Sequence, residues 1–175
     1  MKDTILLVVD VQTALIEEHP YNELNVIKNI KQLIKATRQR GIEVVYVRHD
    51  DGVGGDLEHN TMGWQIYPEI GPENGEMIFD KQYCSSFLKT GLKEYLDRKE
   101  IKNIILVGLQ TEYRIDTTCK SAFEHGFKIF IPMETNTTFD NTYLSGEKLY
   151  EYYNYAIWDK RFAQLISIED LVEIL

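Results

Sequence analysis

This sequence is short of cysteine, of positive charge and of long apolar runs, and each shortage removes a class of protein. Two cysteines, Cys84 and Cys119, in 175 residues are too few for a disulfide framework, so the expectation is a chain with reduced thiols in the cytoplasm. A bridge between the two is the alternative. The formal net charge of −9 weighs against nucleic acid and anionic membrane surfaces as partners. No apolar stretch approaches the roughly 20 residues of a membrane span. Met1-Lys2-Asp3 leads straight into a short strand-like run rather than a signal peptide. Gly52-Val53-Gly54-Gly55 lacks the GxGxxG spacing and no helical pattern follows it, which argues against a dinucleotide fingerprint. His49, Asp50, Asp51, Asp56 and His59 crowd the same region. No spacing pins them to one face, so they read as a polar rim, and neither metal nor cofactor is expected. Repeats, linkers and low-complexity segments are also missing. What is left is an ordinary globular composition, 43% hydrophobic, at a length that fits one domain over residues 1–175.

What is there is organised around Ile104-Ile105-Leu106-Val107-Gly108-Leu109-Gln110-Thr111-Glu112-Tyr113-Arg114 and its continuation to Cys119. The β-branched run is too short for a helix and reads as a buried parallel strand. Gly108 is expected to end it, and Thr111 to cap a helix that runs on to Phe123. Open α/β sheets place ligands at such strand-to-helix junctions, where the helix's first amides favour anions. Arg114 is out of place there, because the first helical turn disfavours a cation. Glu112 partly offsets it, and a further carboxylate is needed to answer it.

Thr4-Ile5-Leu6-Leu7-Val8-Val9-Asp10 reads as a central parallel strand with Asp10 at its carboxyl end, either a site residue or a turn cap. Gln12 either orients Asp10 or faces solvent. Residues 13–23 read as a loop with a solvated His19. Val26, Ile27, Ile30, Leu33 and Ile34 have helical period, and Gly41 stops that helix. Ile42 to Val47 is a second strand, completing a right-handed βαβ unit. The loop from 48 to 75 is too long for a mere connector; its Trp64 lines a pocket or anchors the loop. Glu76 to Lys81 is a short strand, with Lys81 on the same rim as Asp10 and Arg114 or else an exposed charge. Thr90 is expected to cap the next helix. Past Gly126, Phe127 to Ile131 is a strand ended by Pro132, residues 133–142 are a polar loop, and residues 144–157 form a tyrosine-rich helix suited to core or subunit interface. Phe162 to Ile166 adds a last strand, and Ser167 caps a helix to Leu175.

Three motifs in this order carry a resemblance. They are Leu7-Val8-Val9-Asp10-Val11-Gln12, Lys81-Gln82-Tyr83-Cys84-Ser85-Ser86-Phe87, and Val107 to Tyr113 followed by Asp116-Thr117-Thr118-Cys119. Together with His49, the glycine-rich loop and Gly63-Trp64-Gln65-Ile66, they make the chain similar, nearly end to end, to the isochorismatase-like superfamily, in its cysteine hydrolase branch that includes nicotinamidases. The resemblance implies a three-layer αβα sandwich with a mostly parallel, about six-stranded sheet. It implies a triad of aspartate, lysine and cysteine, in which the thiolate attacks an amide or related carbon and backbone amides hold the oxyanion. It further implies a non-proline cis peptide between Leu109 and Gln110, a small-molecule substrate or ligand, and a homo-oligomer.

The departure is at the nucleophile. The resembled enzymes carry their cysteine directly after the Thr-Glu-Tyr triplet, and here that position is Arg114. A guanidinium stays protonated and is no nucleophile at neutral pH. Cys119 lies more than one helical turn further on and reads as structural. Cys84, three residues past Lys81, is the candidate for a relocated nucleophile. Asp10, Lys81 and Arg114 are therefore expected to converge as the catalytic constellation, with Asp10 and Arg114 as a bidentate pair. Gln12, His49, Trp64, Gln110 and Thr111 are the expected ligand contacts. Three functions fit. The chain has lost thiol chemistry and binds a small anionic or amide-like ligand; or Asp10 is a general acid in vinyl ether hydrolysis of the isochorismatase type; or Cys84 carries amide hydrolysis.

Overall fold

The computed structural model of the chain describes residues 3–175, so Met1 and Lys2, which bear on the leader-peptide expectation, lie outside the described residues. Six strands run parallel in the order β3-β2-β1-β4-β5-β7. They are β1 (Thr4–Val9), β2 (Glu43–His49), β3 (Met77–Lys81), β4 (Asn103–Leu109), β5 (Lys128–Pro132) and β7 (Gln164–Ile166). A seventh, β6 (Asn136–Thr137), pairs with the end of β4. Every residue of β1 is buried, as a strand covered on both faces requires, and its side chains need no polar alternation.

Side chains that alternate along β1 feed two cores. Leu6 and Val8 face a cluster closed by α1 (Thr13–Glu17), α2 (Glu23–Gln39) and α6 (Ile168–Ile174) through Leu15, Ile30, Leu33 and Leu171. Ile5, Leu7 and Val9 face the other, closed by α3 (Leu92–Arg98) and α4 (Asp116–Glu124) through Leu96, Cys119 and Ala122. Helices on both faces of a parallel sheet are the expected three-layer sandwich. Among the described residues no helix is long and apolar enough to cross a membrane.

Several local expectations need correction. Residues 13–23 are not all loop: α1 forms there because Leu15 and Ile16 have a core to enter. The 133–142 segment contains β6, whose two residues complete the hydrogen bonding of β4's end. Thr90 is not the residue that caps α3; Gly91 is, at φ +77°. The Thr90 hydroxyl still accepts from the Leu92 amide at 3.2 Å and donates to the Ser86 carbonyl at 2.6 Å. The tyrosine-rich stretch is α5 (Gly146–Glu151) followed by a wide π-helical turn over Tyr152–Trp158. Its tyrosines divide: Tyr150 is buried, while Tyr152 and Tyr155 are exposed. The Ser167 cap is present, its hydroxyl accepting from the Asp170 amide at 3.0 Å.

Candidate functional site

Because the strands run the same way, their carboxyl ends open on one edge of the sheet, where such folds build sites. The register pairs Val9 with Val47 and with Gly108, and His49 with Lys81. The residues that leave β1, β2, β3 and β4 therefore meet. Asp10 follows β1 in a left-handed conformation, φ +52°, and its amide donates to the Val47 carbonyl at 2.9 Å. Lys81, the last residue of β3, donates from Nζ to Asp10 Oδ2 at 2.6 Å, with both side chains fully shielded from solvent. Arg114 Nε lies 3.4 Å from the same oxygen. His49 Nδ1 stands 3.5 Å from Lys81 Nζ.

The approach of β4 to this point depends on Gly108. It lies within the strand rather than ending it, at φ +129°, and a Cβ there would meet the Val9 carbonyl oxygen at 1.9 Å. Only glycine lets β1 and β4 come so close. The Leu109–Gln110 peptide bond is cis, where the resemblance placed it. Gln110 is extended, and a π-helical turn over Thr111–Ile115 leads into α4. The Ile115 amide donates to the Gln110 carbonyl at 3.1 Å, a five-residue closure wider than an α-helical turn. That turn carries Arg114.

Burial sets the electrostatics. Loss of solvent pushes the Asp10 carboxyl up and the Lys81 ammonium down, and the attraction between the two opposes both changes. Arg114 draws the carboxyl down and pushes the ammonium further down. Burial, with Lys81 and Arg114 nearby, lowers His49 to about 4, so its imidazole is neutral at pH 7. Asp10 Oδ1 and Arg114 Nε are buried without a hydrogen-bond partner among the described residues.

Asp10 and Arg114 form the expected ion pair, but through the single Nε–Oδ2 contact at 3.4 Å rather than bidentately. Asp10 Oδ2 is committed to Lys81, and the guanidinium donates instead from Nη1 to Gln110 Oε1. Lys81 is buried, not an exposed charge. Gln12 does not orient Asp10. Its Nε2 donates to the carbonyls of His49 at 2.9 Å and Trp64 at 2.8 Å, and its Oε1 accepts from the His49 amide at 2.8 Å. It clamps the long loop to β2. Trp64 is buried, with the Arg48 guanidinium 3.5 Å from its ring centre and His59 packed against it; this anchors the loop. Thr111 is not the cap, and its hydroxyl donates to Asn136 Oδ1 at 2.9 Å. Cys119 is buried in the core, its thiol pushed up to about 12 by that burial. Cys84 is exposed and makes no hydrogen bond to Asp10, Lys81 or His49 among the described residues.

Two residues of this assembly were absent from the sequence reading. Asn136 on β6 and Asn154 on the second π-helical turn exchange amide hydrogen bonds at 2.9 and 3.0 Å, and Asn136 also receives Thr111. All three are fully buried. Their spacing in sequence carries no signal, because the pairing exists only once β6 docks on β4.

The sequence model of the isochorismatase domain matches residues 4–170. The chain is similar to YrdC of Bacillus subtilis (strain 168), described as an uncharacterized isochorismatase family protein, at 27% identity over 95% of this chain and 93% of that one. It is 28% identical to a probable inactive nicotinamidase of Arabidopsis thaliana, over 63% of this chain and 67% of that one. It superposes on the crystal structure of an isochorismatase from Pseudomonas putida with a TM-score of 0.91 at 21% identity, over 97% and 90% of the two chains. That last likeness bears on the fold alone.

Proposed function

The chain belongs to the isochorismatase family, and on that premise we propose that it keeps an aspartate–lysine site, lacks the cysteine nucleophile, is impaired in amide hydrolysis and binds a small anionic or amide-like ligand. One observation carries the reading. Asp10 Oδ2, the atom that would take a thiol proton, faces the Arg114 guanidinium at 3.4 Å and Lys81 at 2.6 Å. No thiol is hydrogen-bonded to it among the described residues. The guanidinium supplies charge and donors but no electron pair for attack. Cys119, held protonated in the core, does not substitute for the missing thiol.

A second reading has one observation in its favour. Burial holds the Asp10 carboxyl up, which is what a general acid needs; Asp10 would then protonate a vinyl ether, as in isochorismatase-type hydrolysis. The third, Cys84 as nucleophile, is supported by an exposed thiol close enough to act on the Lys81 ammonium; against it, no base is hydrogen-bonded to that thiol among the described residues.

Ammonia release and calorimetric binding, measured on one panel of primary carboxamides, separate the three. The expected result is binding without ammonia above the protein-free control. Ammonia release that disappears in Cys84→Ser and after iodoacetamide moves the chemistry to Cys84. Isochorismate turnover that disappears in Asp10→Asn establishes the acid mechanism.

A further inference from the structure

Of the chain's asparagines, Asn74 alone is followed by glycine. Glu73-Asn74-Gly75-Glu76 is a turn, closed by the Glu76 amide donating to the Glu73 carbonyl at 3.1 Å. Gly75 is its third residue, at φ +96°, the left-handed place that a type II turn reserves for glycine. Asn74 and Gly75 are both exposed. Neither the Gly75 amide nor the Asn74 side chain has a hydrogen-bond partner among the described residues. No atom lies within 4 Å of the place a Gly75 Cβ would take, so nothing screens the Gly75 nitrogen from the neighbouring carboxamide. The related pair Asp51-Gly52 is occupied instead. The Gly52 amide donates to Asp50 Oδ1 at 2.9 Å, and Asp51 Oδ1 accepts from the Leu57 amide at 3.1 Å.

The ends of this turn, unlike its tip, are tied down. Arg38, in the last turn of α2, donates from Nε and Nη2 to the Glu76 carboxylate at 2.9 and 2.7 Å, and its Nη1 lies 3.2 Å from Glu73. The Glu73 amide donates to Glu76 Oε2 at 2.8 Å. β3 begins at the next residue, Met77, and ends at Lys81. A thermolabile asparagine therefore sits at the tip of the clamp that leads α2 into the strand carrying Lys81.

We propose that Asn74 is a self-modification site, deamidating through a succinimide with Gly75, and that the isoaspartate formed loosens the entry to β3. The Gly75 nitrogen gives its proton to solvent base and bonds to Asn74 Cγ; the Cγ–Nδ2 bond breaks and ammonia leaves. Water then opens the five-membered ring. Cleavage of the new N–Cγ bond gives aspartate, and cleavage at the Asn74 main-chain carbonyl gives isoaspartate, with the chain rerouted through Cγ. Either way a carboxamide and a water become a carboxylate and an ammonia. The new carboxylate joins Glu73 and Glu76 around one guanidinium, where like charges repel. Isoaspartate also adds a methylene to the main chain between the two ends that Arg38 holds. Peptide mapping by mass spectrometry of full-length protein held at pH 8 and 37 °C tests the proposal, with synthetic aspartyl and isoaspartyl peptides as standards. The peptide holding residue 74 should gain the mass difference between NH₂ and OH, with isoaspartate present, at least tenfold faster than peptides holding the other exposed asparagines, Asn22, Asn60 and Asn141, and more slowly at pH 6. The modified wild type should melt below the fresh protein, while Asn74→Gln held the same way keeps its melting temperature. A rate at Asn74 less than tenfold above those three overturns the proposal, as does a chain fully modified at residue 74 that melts unchanged. The ammonia from this site appears without added amide and never exceeds one molecule per chain, which separates it from hydrolase turnover.

Discussion

Asp10 meets two cations through one oxygen, and the cost of removing each partner should differ. Asp10→Asn leaves the Lys81 ammonium buried with no counter-charge, which costs about 3–5 kcal/mol. Lys81→Met leaves a carboxyl that still has Arg114 and can take up a proton, so its cost should be smaller, about 1–3 kcal/mol. Arg114→Gln removes the surplus, partly exposed cation, and urea denaturation should find a change within about 1 kcal/mol. His49 gives a pH signature. Its native pKa of about 4 lies below its unfolded value, so between those two values the unfolded chain binds more protons and stability falls as pH falls. The shift converts to about 3 kcal/mol at most. Stability measured at pH 6.5 and 4.5 should drop more in the wild type than in His49→Gln; parallel drops would show that the imidazole is not held neutral. Asp10, Lys81 and Arg114 could be picked out in the sequence because each is a charge set at the end of an apolar strand or at a helix start. The roles of Gln12 and Thr111 could not, since both spend their hydrogen bonds on backbone or side chains distant in sequence.

The elements around the site hold together at two points that the hydrophobic pattern does not encode. The first is the contact of β4 with β1 at Gly108. Gly108→Ala forces a Cβ against the Val9 carbonyl and a disfavoured φ, and should cost about 2–5 kcal/mol in urea denaturation. A loss under about 1 kcal/mol would mean that the strands separate easily there. The second is the buried group Thr111–Asn136–Asn154, which joins the turn bearing Arg114 to β6 and to the second π-helical turn. Asn136→Ala strands the Asn154 amide and the Thr111 hydroxyl, at about 2–4 kcal/mol. The Asn136→Ala/Asn154→Ala double variant should cost less than the two single variants added, by about 1 kcal/mol or more; strict additivity would dissolve the network. The six main strands and the long α2 were legible because each is a continuous apolar run or a helical stripe. The two-residue β6 and the π-helical turns were not, because they arise from hydrogen bonding to a neighbour rather than from any period of their own.

At the scale of the whole chain, a sheet of parallel strands brings residues from four separate segments to one edge, and helices cover both of its faces. The parallel α/β character was readable from apolar strands alternating with helices, and the three-layer sandwich was implied by the family resemblance. The sheet order and the closure of the site over Asp10 and Lys81 were not, because they depend on which strands neighbour one another. On the proposed reading, this frame keeps a hydrolase's aspartate and lysine and carries a cation in place of the sulfur. Arg114→Cys puts that to the test, by ammonia release across a panel of primary carboxamides alongside the wild type. The predicted result is no release from the wild type, and turnover in Arg114→Cys that is abolished when Asp10→Asn or Lys81→Met is added. Wild-type turnover matching that of Arg114→Cys would contradict the claim.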